Sequence, residues 1–563
     1  MTVAGASLLL AAGLFAFLRS RAAAEASPPE RPALCGILLL VLALLAIPFL
    51  RVGERTEQGV AYRAYFSADL MTHLSVTAEL QKGDFPPADP FYAGGALGYY
   101  WLFFLFPALV GKWTGNQPAL LLTYLAGDLL FAGLLFCAAR RLTKTAPTAW
   151  LAAAAGLAAA SYEGAAVLAR AILLGQPLSS FREQNVDAFS RWVLELTSVD
   201  SLYRSLLYTP QHLFSYSLLL TLMLLLVLPP RPQVRAGAAA LAGLVLGGMA
   251  GTSIVTAMLA GPWIAWDVVR RGASPRDRLA SLVPLALASL ACLTWFFHLG
   301  FFAEAGGALS LRRPALAELP LIVLLEVGPL FFLALPALAD PRSRPLALLA
   351  GLSLLAVLGL DVRGAEGVWM AWRAGSVLLV SLALWGALGL PHCGRAARGA
   401  ILFPALLTTL LDLYNAQDIT NRQESAGAFR WTTIVPAADL EALDWIRKRT
   451  PLRSRVQLDA RAREGGDWAL LPALAERRMA YGYPIFLLNP AKYQARARRL
   501  HFIFSSDDPE AAHRLAVEAG IDYLFIGPPE TRRPENRSRK FWEAPAFFEK
   551  AFENAEITIF RVR

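Results

Sequence analysis

SADLMTHLSVTAELQKGDFPPADP, residues 67–90, interrupts a chain otherwise dominated by leucine and alanine. The segment gathers Asp69, His73, Glu79, Asp84 and Asp89, and it is stiffened by Pro86, Pro87 and Pro90. A loop that merely joined two helices would need none of these. Its neighbours on both sides are apolar runs, so these acidic residues sit at the edge of a lipid-like environment. That placement decides how the rest of the chain is read.

The whole chain has 563 residues, 56% hydrophobic and 17% charged, a balance far from that of a water-soluble enzyme. Apolar runs recur to about residue 415, and several reach the roughly 20 residues that cross a hydrocarbon core of ~30 Å. The expected spans are 3–18, 34–50, 117–138, 148–170, 211–229, 236–250, 252–269, 278–299, 315–338, 345–360, 373–390 and 399–415. This is a polytopic α-helical membrane protein of about 12 spans: a transmembrane domain over 1–415, a linker over 416–435 and a small α/β domain over 436–563. The net charge of +10 does not indicate nucleic acid, because the basic residues fall in short loops between spans. None of the four cysteines lies in the C-terminal domain, so no disulfide framework or cysteine metal site is expected there.

Alternate loops differ in charge. Residues 19–31, 139–144, 231–235, 270–278, 340–344 and 394–398 together carry 16 basic against 4 acidic residues. The loops 51–98 and 171–209 carry 4 against 6 and 3 against 4. Positive loops stay cytoplasmic, so the first set is inside. The two long loops and the C-terminal domain then share the outer face. This assignment treats GYYWLFFLFPALVGKW (98–113) as an interfacial or re-entrant helix too short to span. It also needs two short helices broken near GGMAGTS (247–253).

Within the opening segment a helix is expected over 68–82, with Ser67 as N-cap and Gly83 just past its end. Asp69 and His73 are four residues apart and share a face, giving a general base or two ligands for a divalent cation. The Pro/Gly loop that follows presents Asp84 and Asp89 beside Tyr99, Tyr100 and Trp101, at headgroup depth. Asp69 alone in a first helical turn, or His73 as a packing residue, is the structural alternative.

Asp69, Asp89–Pro90 and GYYWLFF, set in some dozen spans with an external C-terminal domain, resemble the GT-C superfamily of integral-membrane glycosyltransferases. The resemblance implies transfer of a sugar from a polyprenyl-phosphate or similar lipid-linked donor to an envelope glycan, lipid or protein at the outer face. It implies that a first-loop carboxylate serves as base or holds Mg²⁺ or Mn²⁺. The paired acidic residues common in such loops are absent, since Leu70 and Met71 follow Asp69; Asp89 or His73 is then expected to complete the site.

Further candidates flank the spans. Gln211 and His212 stand at the start of one, where they can donate to sugar or phosphate, and Arg373 with Trp372 stands at the start of another. A guanidinium there can clamp a lipid phosphate or snorkel to headgroups, with Arg312 and Arg313 as a second choice. The expected site is therefore Asp69, His73 and Asp89 for catalysis, Asp69 and Asp89 for a metal, and Tyr99, Tyr100, Gln211, His212, Trp372 and Arg373 for substrate. Asp128, Glu163 and Glu326 fall inside spans and support a rival reading, an ion-coupled transporter or lipid flippase. A silent relative acting as an envelope scaffold is a third. The Ala/Leu/Arg-rich composition points to a bacterial inner membrane, and the C-terminal domain is expected to bind acceptor or act as a lid.

Overall fold

The computed structural model describes residues 30–228, 236–272, 274–299, 309–311, 316–362, 369–423, 430–463, 469–482 and 490–563. The expected span 3–18 and the pair Arg312 and Arg313 lie outside them.

Helices cover every other expected span. α1 (Glu30–Leu50) leads into a hairpin, β1 (Glu54–Thr56) and β2 (Gly59–Arg63), and then α2 (Ala64–Gln81). α2 starts at Ala64, so Ser67 lies inside its first turn and is not its N-cap; the strand β2 runs directly into the helix. Its end is as expected: Gly83 takes φ +79°, a left-handed turn that glycine adopts without a Cβ clash. After the Pro/Gly loop come α3 (Leu105–Thr114), α4 (Asn116–Leu142), α5 (Ala146–Ala158) and α6 (Glu163–Leu173). The second long loop contains α7 (Phe189–Leu194) and α8 (Leu202–Tyr208). α9 (Pro210–Leu222) opens with a proline at a position where the missing N–H costs nothing.

α10 (Ala236–Ala250) and α11 (Ile254–Arg271) are separated by a break at residues 251–253, as the glycines there imply. α12 (Pro275–His298), α13 (Gly328–Ala334), α14 (Arg344–Gly359), α15 (Trp369–Gly389) and α16 (Arg395–Gln417) complete the bundle, and β3 (Leu309–Leu311) pairs antiparallel with β4 (Leu360–Val362) between them. Among the described residues, 7 helices are long and apolar enough to cross a membrane. The count is up to 9 if each of two bent pairs is one span. With span 3–18 outside the described residues, the expected figure of about 12 is matched only in part: α10 has only 15 residues, and α11 carries Asp267, Arg270 and Arg271 at its end. The bends measure 54° between α5 and α6, and 91° between Leu319–Glu326 and Gly328–Ala337. The expected interfacial helix is shorter than its sequence, since residues 101–104 form turns and only α3 is helical. Trp101, Phe103 and Phe104 are buried in protein, so their role is packing and not a headgroup belt.

The long loops meet the C-terminal region at one end of the bundle. β5 (Thr432–Pro436), in the second half of the expected linker, pairs antiparallel with β2 from Gly59↔Pro436 to Arg63↔Thr432. Gly59 makes this possible: a Cβ there would meet the Val435 carbonyl oxygen at 2.0 Å. Beyond α17 (Ala437–Arg449) lies a four-stranded sheet of order β6-β7-β9-β8: β6 (Val456–Gln457), β7 (Tyr523–Ile526), β8 (Phe548–Glu553) and β9 (Thr558–Val562). α19 (Pro509–Glu518) packs on β9 of this sheet and α18 (Pro490–Ser505) packs on α19, as the expected α/β region requires. The sequence reading lacked β8, whose FEKAFE alternation is weak.

Charge holds the two parts together. Arg478 pairs with buried Glu79 on α2 and, at 2.6 Å, with Asp84, while Lys82 sits 2.7 Å from Glu79. Main-chain bonds from Met479 to Pro90 (2.8 Å) and Gly482 to Phe91 (2.7 Å) continue the seam. The second loop joins it through Arg182 and Asp418 at 2.7 Å. Two Arg-rich loops also touch each other, Arg342 donating to the Leu142 carbonyl at 3.0 Å. Loops of like charge class thus gather together.

Candidate functional site

Helical spacing sets the site. Tyr65, Asp69 and His73 lie one turn apart on α2 and share a face. The helix entry is pinned by Arg63, which donates to the carbonyls of Asn415 (2.8 Å) and Asn421 (3.3 Å). Tyr65 donates to Asp412 at 2.8 Å. Asp69 stays half-buried. Burial raises its carboxyl to about 6, a rise that the positive charge of Arg373 opposes and the negative charge of Asp200 assists.

His73 is fully buried and does not pair with Asp69. Its Nε2 meets the Tyr99 hydroxyl at 2.9 Å, and its Nδ1 meets the Tyr124 hydroxyl. Burial, and then Arg373, holds it down at about 3, so the ring is neutral and one nitrogen donates while the other accepts. The expected Asp–His base is therefore replaced by a His73 that orients two tyrosines. Tyr99 also accepts from Gln211 at 3.1 Å, and Tyr100 sets its ring edge-on to His212, 5.1 Å between centroids. Gln211 Oε1 and His212 Nδ1 are buried with no hydrogen-bond partner among the described residues. Buried polar atoms rarely stay so, and such orphans mark where a ligand or water bonds.

Arg373, in the second turn of α15, is the charge common to these groups. Its field acts on Asp69, His73, Tyr99, Tyr100, Asp200 and His212. Burial raises Tyr99 and Tyr100, and Arg373 pulls both back. The neighbouring Trp372 turns to the second loop instead: its indole donates to Ser198 at 3.3 Å, under the Arg191 guanidinium 5.1 Å from the ring centroid. It props the loop.

Asp89 is engaged by its own loop. Its carboxylate accepts the Phe91 N–H at 2.7 Å and its own N–H donates to Gly95 at 3.0 Å, so it shapes the Pro/Gly loop. The acidic neighbour of Asp69 is Asp200, which the sequence reading did not single out. Burial raises the Asp200 carboxyl, against the pull of Arg204 and Arg373. Tyr208 reaches one oxygen at 3.5 Å, and the other is buried without a hydrogen-bond partner among the described residues. Asp200, Arg204 and Tyr208 recur every fourth residue in SVDSLYRSLLY, a signal that could have found them. Arg204 anchors the segment through two 2.9 Å contacts to Asp412 and one of 3.3 Å to Asp187. Among the described residues no group of three or more His, Cys, Asp or Glu is arranged for a metal ion.

No protein-family model matches this sequence, and no curated protein is similar to it in sequence. Solved structures do match. ArnT from Cupriavidus metallidurans in the apo state aligns with TM-score 0.52 and 12% identity over 94% of this chain and 98% of that one. The chain has the GT-C fold. ArnT bound to undecaprenyl phosphate gives TM-score 0.50 and 11% identity over 93% and 98%. The Archaeoglobus fulgidus oligosaccharyltransferase in the apo form gives 0.45 and 12% over 88% and 69%. At these identities the likeness is one of fold. It holds along nearly the whole length of ArnT, membrane bundle and C-terminal region together.

Proposed function

We propose that the protein transfers a sugar from a lipid-phosphate-linked donor to an envelope glycan, lipid or protein at the outer face of a bacterial inner membrane. The observation that carries this reading is Arg373. Its guanidinium has no hydrogen-bond or ion-pair partner among the described residues, yet its field reaches two carboxyls, a histidine and two tyrosines of one site. An unpaired arginine at the head of an apolar bundle suits the phosphate of a lipid carrier. ArnT, of the same fold, binds undecaprenyl phosphate.

In the proposed reaction an acceptor oxygen bonds to the anomeric carbon as the bond from that carbon to the phosphate oxygen breaks. The electron pair leaves with the phosphate, where Arg373 stabilises the growing charge. The acceptor proton passes to Asp69, whose value of about 6 leaves it ionised at neutral pH and able to act as base. Direct displacement inverts the anomeric centre. Gln211 accepts from a sugar hydroxyl through Oε1, His212 bonds sugar or phosphate through Nδ1, and His73 fixes Tyr99 at the site. Asp69 and Asp200 would hold Mg²⁺ or Mn²⁺ together with substrate phosphate, Asp200 through an oxygen that has no hydrogen-bond donor among the described residues and lies 3.9 Å from Arg204, and the cation would neutralise phosphate charge.

Purified membranes supplied with lipid-linked sugar test the reading. Asp69→Asn is expected to lower transfer by about 10²–10⁴-fold while the protein still inserts. Undiminished transfer by that variant overturns it.

A further inference from the structure

The two bent helix pairs face each other at their breaks. Tyr162, in the first break, donates its N–H to the Leu325 carbonyl at 2.7 Å. A Cβ on Gly328, in the second, would meet the Tyr162 ring at 3.0 Å. Each break carries one glutamate, Glu163 or Glu326, exposed by 0% and 1%. Both reach the second long loop. Glu163 Oε1 accepts from the Ser190 N–H at 2.8 Å and the Ser190 hydroxyl at 2.6 Å. Glu326 Oε2 accepts from the Val199 N–H at 2.7 Å. Just outside, Glu318 accepts from the Thr197 N–H at 2.7 Å.

The remaining oxygens, Glu163 Oε2 and Glu326 Oε1, have no donor among the described residues. The two carboxyl groups are electrostatic neighbours across the breaks and share the Ser190 hydroxyl. Two carboxylates cannot both stay ionised at that range without water or a cation, and one proton held between them resolves the conflict. The charged groups facing the pair are Asp187 beside Glu326 and Arg204 beside Glu163, with Ser190 as the shared hydroxyl. Arg204 is already bound by Asp412 and Asp187, so among the described residues it is not free to replace the proton.

We infer that Glu163 and Glu326 share a single proton and, as a carboxyl–carboxylate latch across the two bent spans, position the 190–200 loop that brings Asp200 to the site. They are positioning residues, and the inference rests on the proposed site only in what the loop delivers. A glutamine at either position preserves the geometry: its carbonyl oxygen accepts the loop N–H and its NH₂ donates to the opposite carboxylate. Alanine at either position leaves loop amides without an acceptor.

Two measurements that need no sugar transfer test this. Infrared spectra of the membrane-embedded protein should show one protonated-carboxyl band lost in Glu163→Gln, the same loss in Glu326→Gln, and no further loss in the double variant. Hydrogen exchange, corrected for intrinsic rates, should show the 190–200 amides as protected in each Gln variant as in the parent. In Glu163→Ala and Glu326→Ala their protection should fall about tenfold or more, the cost of a buried hydrogen bond left unmade. Additive band loss in the double variant, or Gln variants that lose protection as Ala variants do, overturns the shared proton. With lipid-linked sugar, an Ala variant whose loop is unprotected but whose kcat is undiminished overturns the positioning role. The first two readouts hold or fail whether or not the proposed reaction is correct.

Discussion

Arg373 opposes, from the start of α15, the effect of burial on Asp69 of α2. The balance leaves the carboxyl at about 6, above the usual aspartate value because burial outweighs the attraction. If Asp69 acts as base, transfer should rise with pH through about 6 as the proton is lost. Arg373→Ala removes the attraction, so the acid limb of the kcat/KM profile should move to higher pH as the rate falls. Arg373→Lys keeps the charge and should move the limb less. A profile that stays in place in Arg373→Ala would separate the two residues.

The two acidic loops should differ sharply in what they tolerate. Asp200→Asn removes the carboxylate that shares surroundings with Asp69 and should lower transfer at least tenfold by the loss of about 1.4 kcal/mol or more of transition-state stabilisation. Asp89→Asn keeps an oxygen for the Phe91 N–H and should retain most of the rate. If a divalent cation takes part, excess Mn²⁺ should partly restore Asp200→Asn and not Asp89→Asn.

Arg204 is a buried cation held by Asp412 and Asp187. Arg204→Met leaves two buried carboxyls without their partner and should destabilise the protein by about 3–5 kcal/mol, read as a fall in detergent-solubilised Tm. Arg204→Lys should recover part of this, because an ammonium cannot reproduce both contacts to Asp412.

Arg478→Ala strips Glu79 and Asp84 of a shared partner at the seam between α2 and the C-terminal region. The expected result is faster proteolytic cleavage within the seam at unchanged membrane insertion. Arg453, which is mostly exposed, holds only the outer side of Asp84 at 2.7 Å, and Arg453→Ala should have a much smaller effect.

Asp128 tests the transporter alternative. Both its oxygens are buried without a hydrogen-bond partner among the described residues. Asp128→Asn should leave sugar transfer intact and should raise thermal stability or leave it level, since a charge-capable group without a partner is replaced by a neutral one. Loss of ion or lipid flux with intact Asp69-dependent transfer would favour the alternative.

Helix positions were legible because a span is fixed by composition over some 20 residues, and composition survives without knowledge of partners. Break points were less so. The bends, 91° at Val327 and 54° before Glu163, fall inside apolar runs whose composition alone reads as one span. Asp69 and Arg373 could be named because each is a charge at the end of an apolar run. His73 and Asp89 carry the same local signal, yet one is taken by Tyr99 and Tyr124 and the other by Phe91, contacts that no spacing rule encodes. Asp200 was hidden by a loop rich in polar residues, where only its fold neighbours set it apart.

The antiparallel bond ladder between β2 and β5 has a consequence for synthesis. Residues 59–63 emerge early but cannot be zipped until 432–436 leave the ribosome, when the membrane bundle is already threaded. The helix bearing Asp69 begins at the very next residue. A nascent chain therefore reaches the bilayer with its reactive end unfastened, and the enzyme proposed here is armed only once its last quarter has been made.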